Sequence, residues 1–265
     1  MGRILLLFLF FTSLSAAGKT GQIELGRVED LLNLSGSFKQ DGPNCFASVA
    51  YASGFIDDAA YVDSGLFQAA LETPYCQTLK TSTDLRVGDF VLLGGSPTKG
   101  GDRWEHAILY MGVGQVFAKM GFKKEEAASV VAMTENIQWY LQQIRTPQGR
   151  ICAASFLDER KRAMCERHSL FPSYFRCDWK ALRNELENST LASLWAEILK
   201  IRQQLFKDTL QESPERHDAI KDRLDHLEQQ VLNSSEVKAL KNIVLATIHD
   251  TREQVHLMDD FIIGL

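Results

Sequence analysis

A cysteine stands directly behind Gly-Pro-Asn in the segment DGPNCFASVAYASGF, residues 41–55. The pattern predicts a short helix that begins near Cys45, with Pro43 in its first turn, where the missing N–H of proline costs no hydrogen bond. A helix N-terminus favours an anion through its unpaired amides and its dipole, so a cysteine placed there is a candidate nucleophile. The same position also suits a small apolar side chain that packs into a core. Both interpretations of Cys45 stay open at this point.

A nucleophilic thiol needs a nearby base, and His106 is the candidate. It follows a Gly/Pro-rich loop and the polar DRWE, and it opens the apolar strand HAILYMG. A histidine at a strand start is also commonly an ordinary hydrogen-bonded residue. The order of the elements adds weight: a cysteine at a helix start, then the strand RVGDFVLL, then a histidine at a strand start. The other five histidines show no paired metal spacing, so we expect no metal site and no cofactor.

The order of these motifs resembles the papain-like NlpC-type cell-wall peptidase superfamily. The segments that carry the resemblance are NCFASVAYASG, RVGDFVLL and HAILYMGVGQVF. The stretches ETPYCQTL and VFAKMG look more like an exported bacterial branch of papain-like proteins. The resemblance covers about residues 41–140. It implies an α+β fold, in which a small antiparallel sheet packs on the helix that carries Cys45, and it implies cysteine peptidase or amidase chemistry.

The resemblance also implies further site residues. An aspartate precedes the nucleophile in the family, and Asn44 stands there in this chain, which puts the recognition of a free amine in doubt. Papain-like enzymes keep an oxyanion-binding glutamine upstream of the nucleophile, and Gln40 is the candidate here, acting with the backbone N–H of Cys45. The family's third polar residue aligns with Ala118, which cannot orient an imidazole.

The register of the predicted hairpin around Gly112-Val113-Gly114 decides what takes the place of Ala118. A three-residue turn puts Val116 and Ala118 on the face of His106. A two-residue turn puts Gln115, Phe117 and Lys119 on that face instead. Gln115 would then accept the imidazole N–H, as the third residue of a triad does. Lys119 only donates, although it would lower the pKa of a nearby thiol.

Export is expected from the N-terminus. MGRILLLFLFFTSLSAAG has one basic residue, a short apolar run and small residues before Gly18, which is typical of a signal peptide over residues 1–17. No other long apolar stretch follows, so we expect no membrane span after cleavage and a periplasmic or secreted protein. The net charge of −5 and the absence of a basic stripe argue against a nucleic-acid partner.

An exported chain meets conditions that permit disulfides. The five cysteines are Cys45, Cys76, Cys152, Cys165 and Cys177. Because five is odd, at least one is free or pairs between chains. If Cys45 is the free thiol, the other four allow three connectivities, and the sequence does not choose among them. An all-reduced chain is the alternative.

The pattern changes near Trp179. Leu191, Leu194, Ile198, Ile201 and Leu205 step by three and four residues, and two later segments repeat this helical spacing. We therefore divide the chain into a signal peptide (1–17), a papain-like domain (18–150), a cysteine-containing connector (151–178) and a helical hairpin or bundle (179–265). The bundle is a candidate surface for a protein partner.

Taken together, these patterns favour an exported cysteine hydrolase that cleaves amide bonds in peptidoglycan peptides. Cys45 would attack, His106 would serve as the base, Gln115 would orient it, and Gln40 would help to bind the oxyanion. The competing hypothesis is a papain-like binding module of the cell envelope without catalysis, because position 118 holds alanine. Thiol–disulfide chemistry is a third reading, and the chain lacks the CxxC motif that would support it.

Overall fold

A computed structural model describes residues 23–33, 44–95, 104–119, 126–141, 170–207 and 214–263. Within these ranges the chain is mixed α and β, with one antiparallel sheet of six strands in the order β1-β6-β2-β3-β4-β5. The strands are β1 (Cys76–Leu79), β2 (Phe90–Gly95), β3 (Trp104–Gly112), β4 (Gln115–Lys119), β5 (Ala128–Ala132) and β6 (Leu170–Cys177). The helices are α1 (Leu25–Asn33), α2 (Cys45–Ala52), α3 (Ser64–Leu71), α4 (Met133–Leu141), α5 (Trp179–Asn188), α6 (Ala192–Lys207), α7 (Pro214–Asn233) and α8 (Lys238–Ile263).

Helix α2 begins at Cys45, as the sequence predicts, and both of its ends are capped. The Asn44 side chain accepts a hydrogen bond from the N–H of Ala47 at 2.8 Å, which satisfies one of the free amides of the first turn. At the other end, Gly54 and the residue after it donate to carbonyls of the last turn, with Gly54 at φ +76°. A side chain at Gly54 is disfavoured by its positive φ, and a Cβ there would also displace the Glu24 carboxylate, which lies 2.8 Å away.

The sheet separates two apolar layers because successive side chains of a strand point to opposite faces. On one face, α2 packs on β3 and β4, and Leu92, Ala107, Leu109 and Phe117 join its core. On the other face, Val91, Leu93, Ile108, Val116 and Ala118 form a smaller layer with Tyr140 of α4. We call these the α2 face and the α4 face. Every site residue on a strand belongs to one of the two.

The β3–β4 hairpin combines the two registers that the sequence left open. Its turn has two residues, because Gly112 pairs with Gln115 across Val113 and Gly114, which have φ of 51° and 70°. A bulge at Met111 then shifts the register, so that Tyr110 pairs with Val116. Beyond the bulge the facing residues are therefore those of the three-residue alternative.

Residues 170–177 correct the predicted connector. They form strand β6, which lies between β1 and β2 inside the sheet, so the interval 151–178 is not a connector throughout. Asp89, at the start of β2, is 1% exposed and binds the Arg176 guanidinium of β6 through both carboxylate oxygens, at 2.9 and 2.7 Å. The segment SVVAMTENIQWYLQQI, ambiguous by periodicity, is strand and then helix.

Cys76 and Cys177 form a disulfide between directly paired positions of β1 and β6. One residue, Asp178, separates Cys177 from α5, so the disulfide joins the sheet to the start of the C-terminal helices. Cys45 is the free cysteine among the described residues. Cys152 and Cys165 lie outside the described ranges.

The four C-terminal helices share a core with the sheet. The predicted seams are largely buried, with Ile198, Leu224, Val231, Val244 and Ile248 each fully inaccessible to solvent. These residues belong to the same apolar cluster as α2 and the α2 face of the sheet. Helix α8 packs on α3 as well as on α6 and α7. The chain therefore has no break in its core at residue 179.

The disulfide predicts a defined peptide map. Non-reducing digestion should give one crosslinked species that contains Cys76 and Cys177. Replacing both with serine should lower the free energy of unfolding by about 2–4 kcal/mol, because the bridge restrains the unfolded chain. Denaturant titrations of wild type and the double variant measure the difference. A map that links Cys76 to another cysteine would contradict the structure.

The turn geometry predicts a stabilising substitution. Val113 is β-branched, 81% exposed and held at a positive φ of 51°, which costs a residue of this type about 1 kcal/mol or more. Val113→Asn should therefore raise the free energy of unfolding by about 1 kcal/mol, because asparagine suits the first position of this turn. Val113→Thr, which adds a polar atom but keeps the β-branched side chain, is the control and should change little. Equal effects of the two substitutions would contradict the turn assignment.

Candidate functional site at the N-terminus of α2

Cys45 lies on the α2 face, pressed against β3. Its side chain is 6% exposed and belongs to the main core. Three backbone N–H groups point at the sulfur: those of Cys45 and Phe46 in the first turn of α2 and that of Ala107 in β3. This arrangement is the anion-binding end of a helix, completed by one amide from the sheet.

Burial outweighs these donors. Removal from water raises the pKa of the Cys45 thiol to about 11, because the thiolate loses its hydration. The three N–H groups and the Lys119 ammonium act in the opposite direction, and they do not compensate fully. Lys119 is fully buried on β4, and it pairs with Ala128, which belongs to the core of the α2 face. In this conformation the group at position 45 is a neutral thiol at physiological pH.

His106 lies on the opposite side of the sheet from Cys45. It is paired with Leu93, which belongs to the α4 face, and its ring stacks on Tyr140 of α4 with centroids 3.8 Å apart. It is fully buried there. The adjacent residue, Ala107, is the one that faces Cys45. The predicted Cys45–His106 pair is therefore not assembled, because neighbouring residues of a strand point to opposite faces.

Gln115 does not lie beside His106 either. It pairs with Gly112 at the turn, six residues from His106, which is roughly 20 Å along an extended strand. Its parity also puts it on the face of Phe117 and Lys119, away from His106. The residues of β4 that share the face of His106 are Val116 and Ala118, whose side chains have no hydrogen-bond acceptor. This corrects the prediction of Gln115 as the orienting residue.

Asn44 has a structural role in place of the predicted substrate contact. Its side chain is 8% exposed, and its Oδ1 caps α2 while its Nδ2 donates to the carbonyl of Val62 at 2.7 Å. Both ends of the amide are thus used inside the protein. Gln40, the predicted oxyanion donor, lies outside the described residues.

The sequence gives no signal for one contributor to the Cys45 environment, the Ala107 amide, because backbone donors leave no trace in residue type. It predicts the other, Lys119, as a charge that lowers the pKa of a nearby thiol, but on the face of His106. A lysine inside an otherwise apolar alternating strand, VFAK, was the available signal, since a fully buried lysine needs a specific environment.

Neither a metal site nor a membrane-spanning helix is seen in the parts of the chain that the structure describes. No group of three or more His, Cys, Asp or Glu side chains there is placed to hold a metal ion. None of the described helices has the length and apolar character needed to cross a membrane. An open groove of about 580 Å³ lies between α6 and α7, and none of its lining residues comes from α2 or the sheet.

No family model, no curated protein and no solved structure matches this chain.

The environment of Cys45 predicts a slow thiol. With a pKa of about 11 in place of 9.0, its thiolate fraction near pH 8 falls about 100-fold, and its alkylation by iodoacetamide should slow by at least that factor relative to the unfolded chain. Mass spectrometry of the Cys45 peptide separates its rate from those of the other cysteines.

Lys119→Met should slow the alkylation of Cys45 further, because it removes the one favourable side-chain charge identified near the thiol. Lys80→Met, at an exposed position, is the matched control and should leave the rate unchanged. If Cys45 in the native protein reacts at the rate of an ordinary free cysteine, the buried neutral thiol is refuted.

Proposed function

We propose that this chain is an exported, non-catalytic binding module of the cell envelope, with the papain-like arrangement of a helix on an antiparallel sheet. The observation that carries the proposal is the position of His106 across the sheet from Cys45. A thiol hydrolase needs its base within hydrogen-bond reach of the nucleophile. The nearest charged group identified on the face of Cys45 is an ammonium, which donates protons and does not accept them while charged.

The disulfide supports the exported part of the proposal. Bridges of this kind persist in oxidising compartments and are rare in a reducing cytosol. The buried state of Cys45 is consistent with the binding role, since a binding protein needs no reactive thiol. The partner that the resemblance suggests is a peptidoglycan peptide, held by the cleft of the papain-like part and by the C-terminal helices.

Cysteine hydrolysis of amide bonds is the second candidate function. One observation favours it: three backbone N–H groups converge on the Cys45 sulfur, and this is the geometry that stabilises an oxyanion or a thiolate. In this alternative, a change of conformation would hydrate the thiol and bring it a base. The two candidates make opposite predictions for a Cys45 variant.

A single set of proteins separates them: wild type, Cys45→Ala and His106→Phe. The phenylalanine keeps an aromatic ring on Tyr140 and removes the imidazole. Each protein is incubated with purified cell-wall sacculi, and both the sedimenting protein and the soluble muropeptides are measured. We expect all three proteins to sediment with sacculi to the same extent and none to release fragments, because binding does not use the thiol.

Release of fragments by wild type that is lost in Cys45→Ala would replace the binding proposal by the hydrolase. In that outcome His106→Phe tests the imidazole as the base. Full activity of this variant would exclude the imidazole as the base. Lost activity would mean that the sheet rearranges to bring His106 to Cys45. Failure of all three folded proteins to bind sacculi, with no release, would refute both candidates for this ligand.

A further inference from the structure

The C-terminal helices grip the segment 58–63, which connects α2 to α3. Arg202 of α6 is 1% exposed, and its guanidinium binds the Asp58 carboxylate at 3.0 Å and the carbonyls of Ala60 and Tyr61 at 3.2 Å. From α8, Gln254 accepts the N–H of Tyr61 at 2.7 Å. Asp250, also on α8, accepts the N–H of Asp63 at 2.9 Å. We call these three helix residues, Arg202, Asp250 and Gln254, the clamp.

The clamped segment supports the N-terminus of α2 directly. The carbonyl of Val62 accepts from the Asn44 amide, and the other end of that amide caps α2. Val62 lies between Tyr61 and Asp63, whose N–H groups are held by α8. A continuous chain of hydrogen bonds therefore runs from α8 to the residue before Cys45. This chain connects the position of α8 to that of the start of α2.

Asp250 is the weak member of the clamp. Its side chain is fully buried, and among the described residues only Oδ1 has a hydrogen-bond partner, while Oδ2 has none. A carboxylate in such a position loses the hydration of a full charge without enough donors to replace it. The neutral acid loses far less. The geometry therefore favours the protonated, neutral form of Asp250 over the carboxylate.

We propose that the clamp is a pH-sensitive latch: protonated Asp250 holds α8 on the segment 58–63, and loss of that proton loosens the latch and the N-terminus of α2 behind it. The latch is independent of whether the chain binds or hydrolyses its ligand, because it concerns only how the C-terminal helices hold the segment.

The charges around Asp250 also favour its protonated form. Burial is the dominant effect and raises the pKa of Asp250 well above its usual value, and the nearby Asp63 and Glu253 act in the same direction. Arg202 opposes them, but it is already bound to Asp58.

Helix α7 also packs on α8. Its Asp225 and Glu228 are paired with Arg252, and His217 is its buried titratable residue. Because the folded pKa of Asp250 exceeds the unfolded one, its contribution to stability is complete below about pH 4 and disappears as pH rises through the folded pKa.

Asp250→Asn tests the latch. Asparagine keeps the carbonyl oxygen that accepts from Asp63 and cannot ionise. We expect the folding equilibrium constant of wild type to fall relative to that of Asp250→Asn by up to about tenfold per pH unit, from about pH 4 up to the folded pKa. Denaturant titrations of both full-length proteins at several pH values measure the ratio. Asp222→Asn, at an exposed site on α7, is the matched control and should follow wild type at every pH.

Two local measurements locate the effect. At a given alkaline pH, the amides of Tyr61 and Asp63 should exchange faster in wild type than in Asp250→Asn. The ratio of Cys45 alkylation rates, wild type over Asp250→Asn, should rise with pH, since the thiolate fraction cancels in the ratio. Parallel stability curves for the two proteins across the pH range would overturn the proposal, and so would equal exchange at both amides.

Infrared difference spectra supply a test that needs no folded variant. Wild type labelled with ¹³C at the aspartate carboxyls should show a protonated carboxylic acid that persists to a higher pH than that at which exposed aspartates ionise. A spectrum in which every aspartate ionises in the range of an exposed one would overturn the latch.

Discussion

The alternation of side chains along β3 is the constraint on which the rest of the site depends. Ala107 turns to α2 and gives its N–H to Cys45, so His106, one residue earlier, must turn to α4. A slip of β3 by one residue would bring His106 to the thiol. The same slip would carry Leu109 and Met111 out of the main core and Ile108 into it. No side-chain rotation substitutes for that slip, because the backbone of the sheet lies between the two groups.

The position of Cys45 shows two opposing effects of comparable size. The helix end, the Ala107 amide and Lys119 all favour the thiolate, and burial disfavours it. The net pKa of about 11 against 9.0 means that burial wins by about 3 kcal/mol. Water or a polar ligand admitted to the site would remove the desolvation and leave the favourable donors in place. The reactivity of this cysteine therefore depends on whether water or a polar ligand reaches the thiol.

Local sequence patterns predicted the helices and strands well, but they predicted poorly which face of the sheet each side chain occupies. The helix at Cys45, the β3–β4 hairpin and the apolar seams of the C-terminal helices follow from short-range rules of capping, turn chemistry and periodicity. The Met111 bulge does not, since one extra residue inverts the facing of all that follows and leaves no clear signal in residue type. Strand β6 was missed for a related reason: a strand is identified by its partners, and those of Leu170–Cys177 lie about 75 to 100 residues earlier.

The polar clamp explains why the C-terminal helices belong to the same folded unit as the sheet. An apolar seam would have let α8 slide along α3, because burial of apolar surface is not directional. Asp250 and Gln254 each accept one particular backbone N–H, so only one position of α8 satisfies both. Thr247, Asp250, Thr251 and Gln254 form a buried polar stripe at helical spacing on α8, beside its apolar seam. Buried polar contacts contribute little net stability but penalise every misaligned arrangement. The stripe thus defines the alignment that keeps Asn44, and with it the thiol of Cys45, in place.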